Sequence, residues 1–296
     1  MVWSCLVSIL PGMAQTEKLT DYVNPFVGTD GYGNVYPGAQ IPFGGIQISP
    51  DTDSRFYDAA SGYKYNHLTL MGFSLTHLSG TGIPDLGDFL FIPGTGEMKL
   101  EPGTHEDPDQ GYRSRYSHDK EWASPNYYAV ELADYGVKAE MTSGVRSGMF
   151  RFTYPESDNA FIMIDMNHTL WQSCEWSNLR MINDSTITGY KLVKGWGPER
   201  HVYFTATFSK KLTGLRFVQD KKPVIYNTSR FRSSYEAWGK NLMACISFDT
   251  KAGEEVTVKT AISAVSTDGA RNNMKELDGL TFNELRAKGE DRKSVV

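Results

Sequence analysis

The sequence predicts a mainly β protein: a large antiparallel β-sandwich with a short helical segment at its C-terminal end. Three observations lead there. From Tyr127 onward apolar and polar residues alternate in short runs, the period of a half-buried strand. Turn formers such as Asp134-Tyr135-Gly136 and Ala252-Gly253 break those runs at hairpin spacing. Aromatics fit pleated surfaces and glycine supplies turns, and the 296 residues hold 28 Gly with 16 Tyr, 15 Phe and 6 Trp.

Residues 2–10 are apolar and precede Pro11-Gly12-Met13-Ala14-Gln15, which resembles a secretory leader cut after Ala14, although no Lys or Arg comes before the run. Residues 1–15 are therefore read as a shortened signal peptide, and the mature protein is expected in the periplasm or outside the cell. Cys5 is lost with that leader. Cys174 and Cys245 belong to no C-x-x-C pair and are expected as two buried free thiols rather than a disulfide.

Residues 16–267 are assigned to the sandwich. Residues 20–125 are dense in Gly, Pro, Asp, Asn and Tyr and read mostly as long loops, with strands at 45–49 and 88–93. Loops of this length are usually functional or disordered, and these are too aromatic to be disordered. Beyond them, Tyr128, Val130 and Leu132 alternate, as do Val137, Ala139 and Met141. Further strands are expected at 149–154, 161–166, 186–191, 201–208, 242–248 and 255–261.

Residues 268–296 switch period. Ala270, Met274 and Leu277 fit a helix opened by Asp268, and Thr281-Phe282-Asn283-Glu284 has the form of a capping box. The charged run from Gly289 to two terminal valines reads as a linker whose helix stops without covering an apolar face.

The formal charge, 30 − 35 = −5, comes with no basic cluster, which argues against nucleic acid as the main partner. No run of about 18 apolar residues predicts a membrane-spanning helix. The sequence lacks G-x-x-x-x-G-K-[ST], G-x-S-x-G and H-E-x-x-H, and the glycines of Gly28-Thr29-Asp30-Gly31-Tyr32-Gly33 stand at the wrong offsets for a dinucleotide fold. His67 and His77 fit no common metal spacing and are read as structural.

One segment, residues 72–88, packs His77, Ser79, Thr81, Asp85 and Asp88 among glycines. Such groups suit several sugar hydroxyls at once, or equally the exposed backbone of a tight loop. Asp85 and Asp88 are also candidates for an acid/base pair. Tyr32, Tyr36, Tyr57, Trp171, Trp176 and Trp196 are loop aromatics able to stack on sugar faces.

An ordered series of blocks resembles glycoside hydrolase family 92: Val23-Asn24-Pro25-Phe26-Val27-Gly28-Thr29, Tyr36-Pro37-Gly38-Ala39, Ile41-Pro42-Phe43-Gly44, Ser49-Pro50-Asp51-Thr52, Gly62-Tyr63 and, most specific, His77-Leu78-Ser79-Gly80-Thr81-Gly82. Ser263-Ala264-Val265-Ser266 with Ala270 is similar to the end of that family's first domain. The resemblance spans roughly residues 20–285. It implies a sandwich of the galactose-mutarotase-like (supersandwich) type, the N-terminal domain of a calcium-dependent, inverting exo-α-mannosidase acting on α-mannosides and N-glycans. It also implies that the acid, the base and most of the calcium shell sit on an (α/α)6 barrel that a truncated reading frame leaves out. No catalytic residue and no metal ligand is then expected in this chain, and the missing barrel is its intramolecular partner.

By the same resemblance, Gly28, Thr29, Asp30, Gly31, Tyr32, Asn34, Tyr57 and Asp58 contribute to the sugar pocket, while His77, Ser79, Thr81, Asp85 and Asp88 build a structural loop. Tyr32 and Asn34 replace histidines common in the family, Tyr57 a tryptophan and Leu75 a histidine, which changes the hydrogen bonds offered to the sugar. A stand-alone carbohydrate-binding sandwich is the alternative.

Overall fold

The computed structural model describes residues 19–54, 57–224 and 236–291. The expected leader with Cys5, and residues 292–296, lie outside them. The early strands are short: β1 Ser49–Asp51, β2 Thr69–Leu70, β3 Gly72–Ser74, β4 Leu90–Thr95, β5 Ser114–Arg115 and β6 Glu121–Ser124. Longer ones follow: β7 Tyr127–Leu132, β8 Val137–Ser143, β9 Ser147–Tyr154, β10 Ser157–Asp165, β11 Ser173–Asn183, β12 Thr186–Lys194 and β13 Arg200–Phe208. The last are β14 Gly214–Gln219, β15 Lys222–Pro223, β16 Glu236–Gly239, β17 Leu242–Thr250 and β18 Glu254–Ser263.

They form a seven-stranded sheet, β1-β3-β4-β10-β17-β14-β15, a nine-stranded sheet, β16-β11-β12-β13-β18-β9-β8-β7-β6, and the small pair β2-β5. The pairings are antiparallel throughout, so the sandwich expected from the sequence is what the chain builds. Alternation explains the inner faces. In β9, Phe150, Phe152 and Tyr154 are buried while Arg151 and Thr153 between them are half-buried. Rings from opposite sheets meet across the core, Phe91 with Phe150 at 4.8 Å and Phe89 with Phe204 at 4.5 Å between centroids. Each such ring contributes about 1.5–3 kcal/mol through burial. Gly189 makes room for one of them, since a Cβ there would stand 2.3 Å from the Phe204 ring.

Strands β11, β14 and β16 were not expected. Their inward residues are interrupted by polar ones such as Ser177 and Asn178, which are buried because they hydrogen-bond to Gly239 and Ala237 on β16. The strand expected at 45–49 shrinks to a single bridge, Ala39 with Ile48, followed by β1.

Two helices follow β18, α1 Thr267–Met274 and α2 Phe282–Asp291. The cap of α1 is Ser266 rather than Asp268: its hydroxyl accepts the Gly269 N–H at 2.9 Å, and Asp268 lies inside the first turn. The capping box forms as expected, with Glu284 accepting from the Thr281 N–H and hydroxyl, both at 2.8 Å. The expectation that this helix covers no apolar face is corrected. Phe282 and Leu285 are buried with Leu277 against Tyr127, Ala129 and Met149 on the outer face of the nine-stranded sheet. Glu276 fastens the segment by accepting from Val145 N–H (2.7 Å), Arg146 N–H (3.2 Å) and the Ser147 hydroxyl (2.7 Å) at the β8–β9 turn.

Candidate functional site

The register brings the end of β3, the start of β4, the end of β10, the β8–β9 turn, the β12–β13 connection and the end of β18 to one end of the sandwich. The long loops of the N-terminal third fold over this end, and the predicted site residues distribute themselves within it.

The segment from Gly28 to Tyr36 is a tight loop. Gly28 (φ +86°) and Gly31 (φ +59°) take the left-handed turns that glycine tolerates best, and the Val35 N–H returns to the Gly28 carbonyl at 3.2 Å. Thr29 is buried and donates its hydroxyl to Phe26 O at 2.8 Å, so it holds the loop rather than facing a ligand. Asp30 and Gly31 are exposed. The Gly31 carbonyl accepts Lys64 Nζ at 3.1 Å, and the Asn34 carbonyl accepts the Gly80 N–H at 2.7 Å. Between those anchors Tyr32 projects with 92% of its surface exposed. Asn34, half-buried, donates Nδ2 to Tyr32 O at 3.2 Å. Tyr36 behaves differently: it is buried against the His77 ring at 5.1 Å, its hydroxyl donating to Gln40, and burial pushes its phenol well above the ordinary value.

Tyr57 and Asp58 lie in a short 3-10 turn, Tyr57–Ala59. The Tyr57 ring is exposed and stands 5.8 Å from that of Trp171. The Asp58 side chain lies outside the described residues.

Residues 77–88 split. Ser79 is exposed, and Thr81 donates its hydroxyl to Ile83 O at 3.1 Å. Asp85 is buried and accepts the N–H of its neighbour Leu86 at 2.6 Å. His77 Nδ1 lies 2.8 Å from Gln47 O, and its Nε2 lies 2.8 Å from an Asp51 oxygen. The other oxygen of Asp51 meets His168 Nε2 at 2.9 Å. Burial acts to raise the Asp51 pKa, but the His77 and His168 imidazoles outweigh it and hold the carboxyl well below the usual range.

Asp88 is fully buried and accepts Arg200 bidentately (2.6 and 3.1 Å), the Thr76 hydroxyl (2.7 Å) and Lys191 Nζ (3.1 Å). Burial is again outweighed, here by Lys191 and Arg200, so its carboxyl too is held well below the usual range. An acid/base pair of Asp85 and Asp88 is therefore not what this loop offers: Asp88 is consumed by two cations and Asp85 by its own backbone. Sequence reasoning missed Asp51, His168, Lys191 and Arg200. Only Lys191 left a signal, as a cation at an inward position of a strand.

No cluster of three or more His, Cys, Asp or Glu side chains among the described residues has the arrangement of a metal site. The His67 ring instead lies 4.1 Å from that of His105, tilted by 47°, and bonds the Thr52 hydroxyl at 2.9 Å. Cys174 and Cys245 are buried free thiols.

Beside Trp171 a groove of about 870 Å³ runs along the outer face of the seven-stranded sheet, with Tyr112, Met71 and Met243 among its lining residues and Asp165 and His168 towards the loop end. A smaller cavity of about 360 Å³ lies between Trp171 and Trp196. The lining mixes exposed aromatics, amides and hydroxyls with charges of both signs, Glu101, Asp165, Asp220, Lys221 and Lys240 among them, a surface that can hold a hydroxyl-rich ligand.

Comparison with known proteins agrees with that chemistry. Residues 22–263 match the model of the glycosyl hydrolase family 92 N-terminal domain. A family 92 α-mannosidase from Bacteroides thetaiotaomicron, solved in complex with mannoimidazole, is 99% identical with TM-score 0.91, over 93% of this chain and 36% of that one. An inverting mannosidase of the family, from Bacteroides thetaiotaomicron VPI-5482, shares the fold at 24% identity and TM-score 0.77, over 94% of this chain and 36% of that one. An uncharacterized secreted glycosidase of Arthroderma benhamiae is 30% identical over 139 residues, 46% of this chain and 17% of the relative. The chain thus spans little more than a third of the solved proteins it matches.

Proposed function

Given that the chain belongs to glycosyl hydrolase family 92, whose N-terminal domain it forms, we propose that it supplies one wall of the sugar pocket of a longer, inverting exo-α-mannosidase that acts on α-mannosides, N-glycans among them. The observation that carries this reading is the Gly28–Tyr36 loop, which is held rigidly from beneath by Lys64 and Gly80 yet presents Tyr32 almost wholly exposed. A tyrosine presents a flat apolar face and a polar hydroxyl, so a firmly anchored, uncovered one fits a surface that meets a ligand or a facing wall.

Inversion requires two carboxylates about 6.5–9.5 Å apart with a water between one of them and the sugar. Asp51 and Asp88 do not meet this need, being locked by imidazoles and by cations. Acid and base are assigned to the remainder of the longer protein. A calcium site, which takes 6–8 oxygen ligands, is assigned to that remainder as well. Export to the periplasm or beyond is proposed from the apolar run of residues 2–10 and the small residues that follow it.

The test is incubation of this chain, and separately of the longer protein, with an aryl α-mannoside and calcium. Turnover is expected only from the longer protein, and Tyr32→Ala there is expected to raise KM. Sustained product release by the chain alone would end this reading. Micromolar binding of mannose by the chain alone would favour a stand-alone carbohydrate-binding module instead.

A further inference from the structure

Trp171 is held in a conformation that tryptophan rarely adopts. Its φ is +75°, and 57% of its surface is exposed, so no buried contact of the ring explains the strain. A bulky residue in the left-handed region costs on the order of 1–3 kcal/mol and persists only where neighbours over-determine it. Here they do. The Leu170 N–H donates to Leu86 O at 3.0 Å, the Thr169 hydroxyl to Gln172 O at 2.7 Å, and Gln172 Nε2 to Pro84 O at 2.9 Å. Gly195 lets Gln172 lie close against the β12–β13 connection, since a Cβ there would come within 2.3 Å of Gln172 Cγ. Gln172 Oε1 is left without a hydrogen-bond partner.

The strained ring stands where the two cavities adjoin, for Trp171, Gln172 and Ser173 line both. Trp196, 67% exposed, lines the smaller one, and Tyr57 stands beside Trp171. The lysines of the larger groove are paired, Lys221 with Glu101 at 2.6 Å and Lys240 with Glu175 at 3.1 Å, while Asp220 accepts the Asn241 amide at 2.8 Å. Asp165 accepts from Tyr112 and from the Asn167 N–H. Lys194 is the lysine that lines the smaller cavity. With its lysines paired and Asp165 and Asp220 held by neutral donors, the larger groove does not favour a phosphate or a uronate. Its mixture of aromatic faces, thioether floor and amides suits alternating C–H faces and hydroxyls.

We propose that this groove binds a neutral oligosaccharide, with Trp171 as the platform dividing it into two neighbouring sugar positions, one towards Trp196 and one towards Tyr112. This rests on the reading of the chain as a pocket wall and extends it from the terminal sugar to the units behind it. Stacking on an exposed ring contributes enough that each occupied position tightens binding by roughly tenfold.

The experiment titrates the chain with neutral α-mannosides of one to four units, following tryptophan fluorescence and heat. Affinity is expected to climb with chain length, and Trp171→Gly to abolish that climb. Glycine fits φ +75°, so the variant is expected to melt no lower than the parent, which separates lost stacking from lost folding. Trp171→Phe should restore part of the climb. Length-independent affinity, or a Trp171→Gly variant that binds the tetrasaccharide as the parent does, overturns the groove. Tighter binding of a phosphorylated than of a neutral sugar overturns its ligand class. Length-dependent, Trp171-dependent binding with no response to methyl α-mannoside supports the groove and is what one wall alone should give. A longer protein with no turnover of aryl α-mannoside removes the pocket-wall reading and leaves the groove standing.

Discussion

Lys191 Nζ lies 3.1 Å from Asp88 Oδ1, with both side chains wholly excluded from solvent between the two sheets. Lys191 comes from β12 of one sheet and Asp88 from the loop entering β4 of the other, so the pair ties the sheets together just beneath the candidate site. Lys191 also donates to His168 O at 2.6 Å, and His168 holds Asp51. One buried polar network thereby fixes the segments that carry Trp171, Ser79 and Thr81.

Asp88→Asn leaves Lys191 buried opposite a neutral group and is expected to cost about 3–5 kcal/mol, the price of an uncompensated interior charge. Lys191→Met should cost less, because Arg200 still neutralises Asp88. Urea denaturation of both variants gives the order, and the reverse order would mean that Arg200 alone does not neutralise Asp88.

Acid should weaken the fold in two stages. Burial, assisted by the neighbouring His105 ring, pushes the His67 imidazole down to about 4, whereas an unfolded histidine titrates near 6.5. Between those values the unfolded chain binds more protons, so this contribution is complete above about pH 6.5 and disappears as pH falls towards 4. Asp51 and Asp88, held below the usual carboxylate range, add a further loss beneath about pH 4. Melting temperatures across pH 4 to 7 should fall with acid, and His67→Gln should flatten the upper part of that slope. An unchanged slope in the variant would exclude His67 as its source.

Glu276 accepts three hydrogen bonds from the β8–β9 turn and is the polar anchor of the helical segment. Glu276→Ala leaves those donors unpaired, at about 1–3 kcal/mol. Hydrogen exchange in residues 282–291 should accelerate more than in β17, because α2 is then left with the buried contacts of Phe282 and Leu285, with Arg151 against Asn283 and Phe282, and with Arg286 against Tyr127. Uniform acceleration would mean that the helices and sheets open together.

Phe43 occupies the third place of the turn Ile41-Pro42-Phe43-Gly44, closed by the Gly44 N–H on Ile41 O at 3.0 Å, with φ +58° and 96% of its surface exposed. A turn with proline second and a positive φ third favours glycine there. Phe43→Gly should leave thermal stability unchanged or raise it by up to about 1 kcal/mol. A loss of more than that would show that the ring is covered in solution.

The alternation in β7–β10, β12, β13, β17 and β18 was readable because one face of each strand must exclude water, and period two records that demand directly. The capping box at Thr281 was readable because its partners are three residues apart. Glycines such as Gly28 and Gly31 marked the loop for the same local reason. Nothing local recorded that Asp51 meets His77 and His168, that Asp88 meets Lys191 and Arg200, or that the Tyr57 and Trp171 rings stand side by side. Those pairs join distant segments, and only the antiparallel register of two sheets brings them together. Patterning against water determined the sandwich; long-range packing decided which polar groups are spent inside it and which aromatic rings are left to meet a ligand.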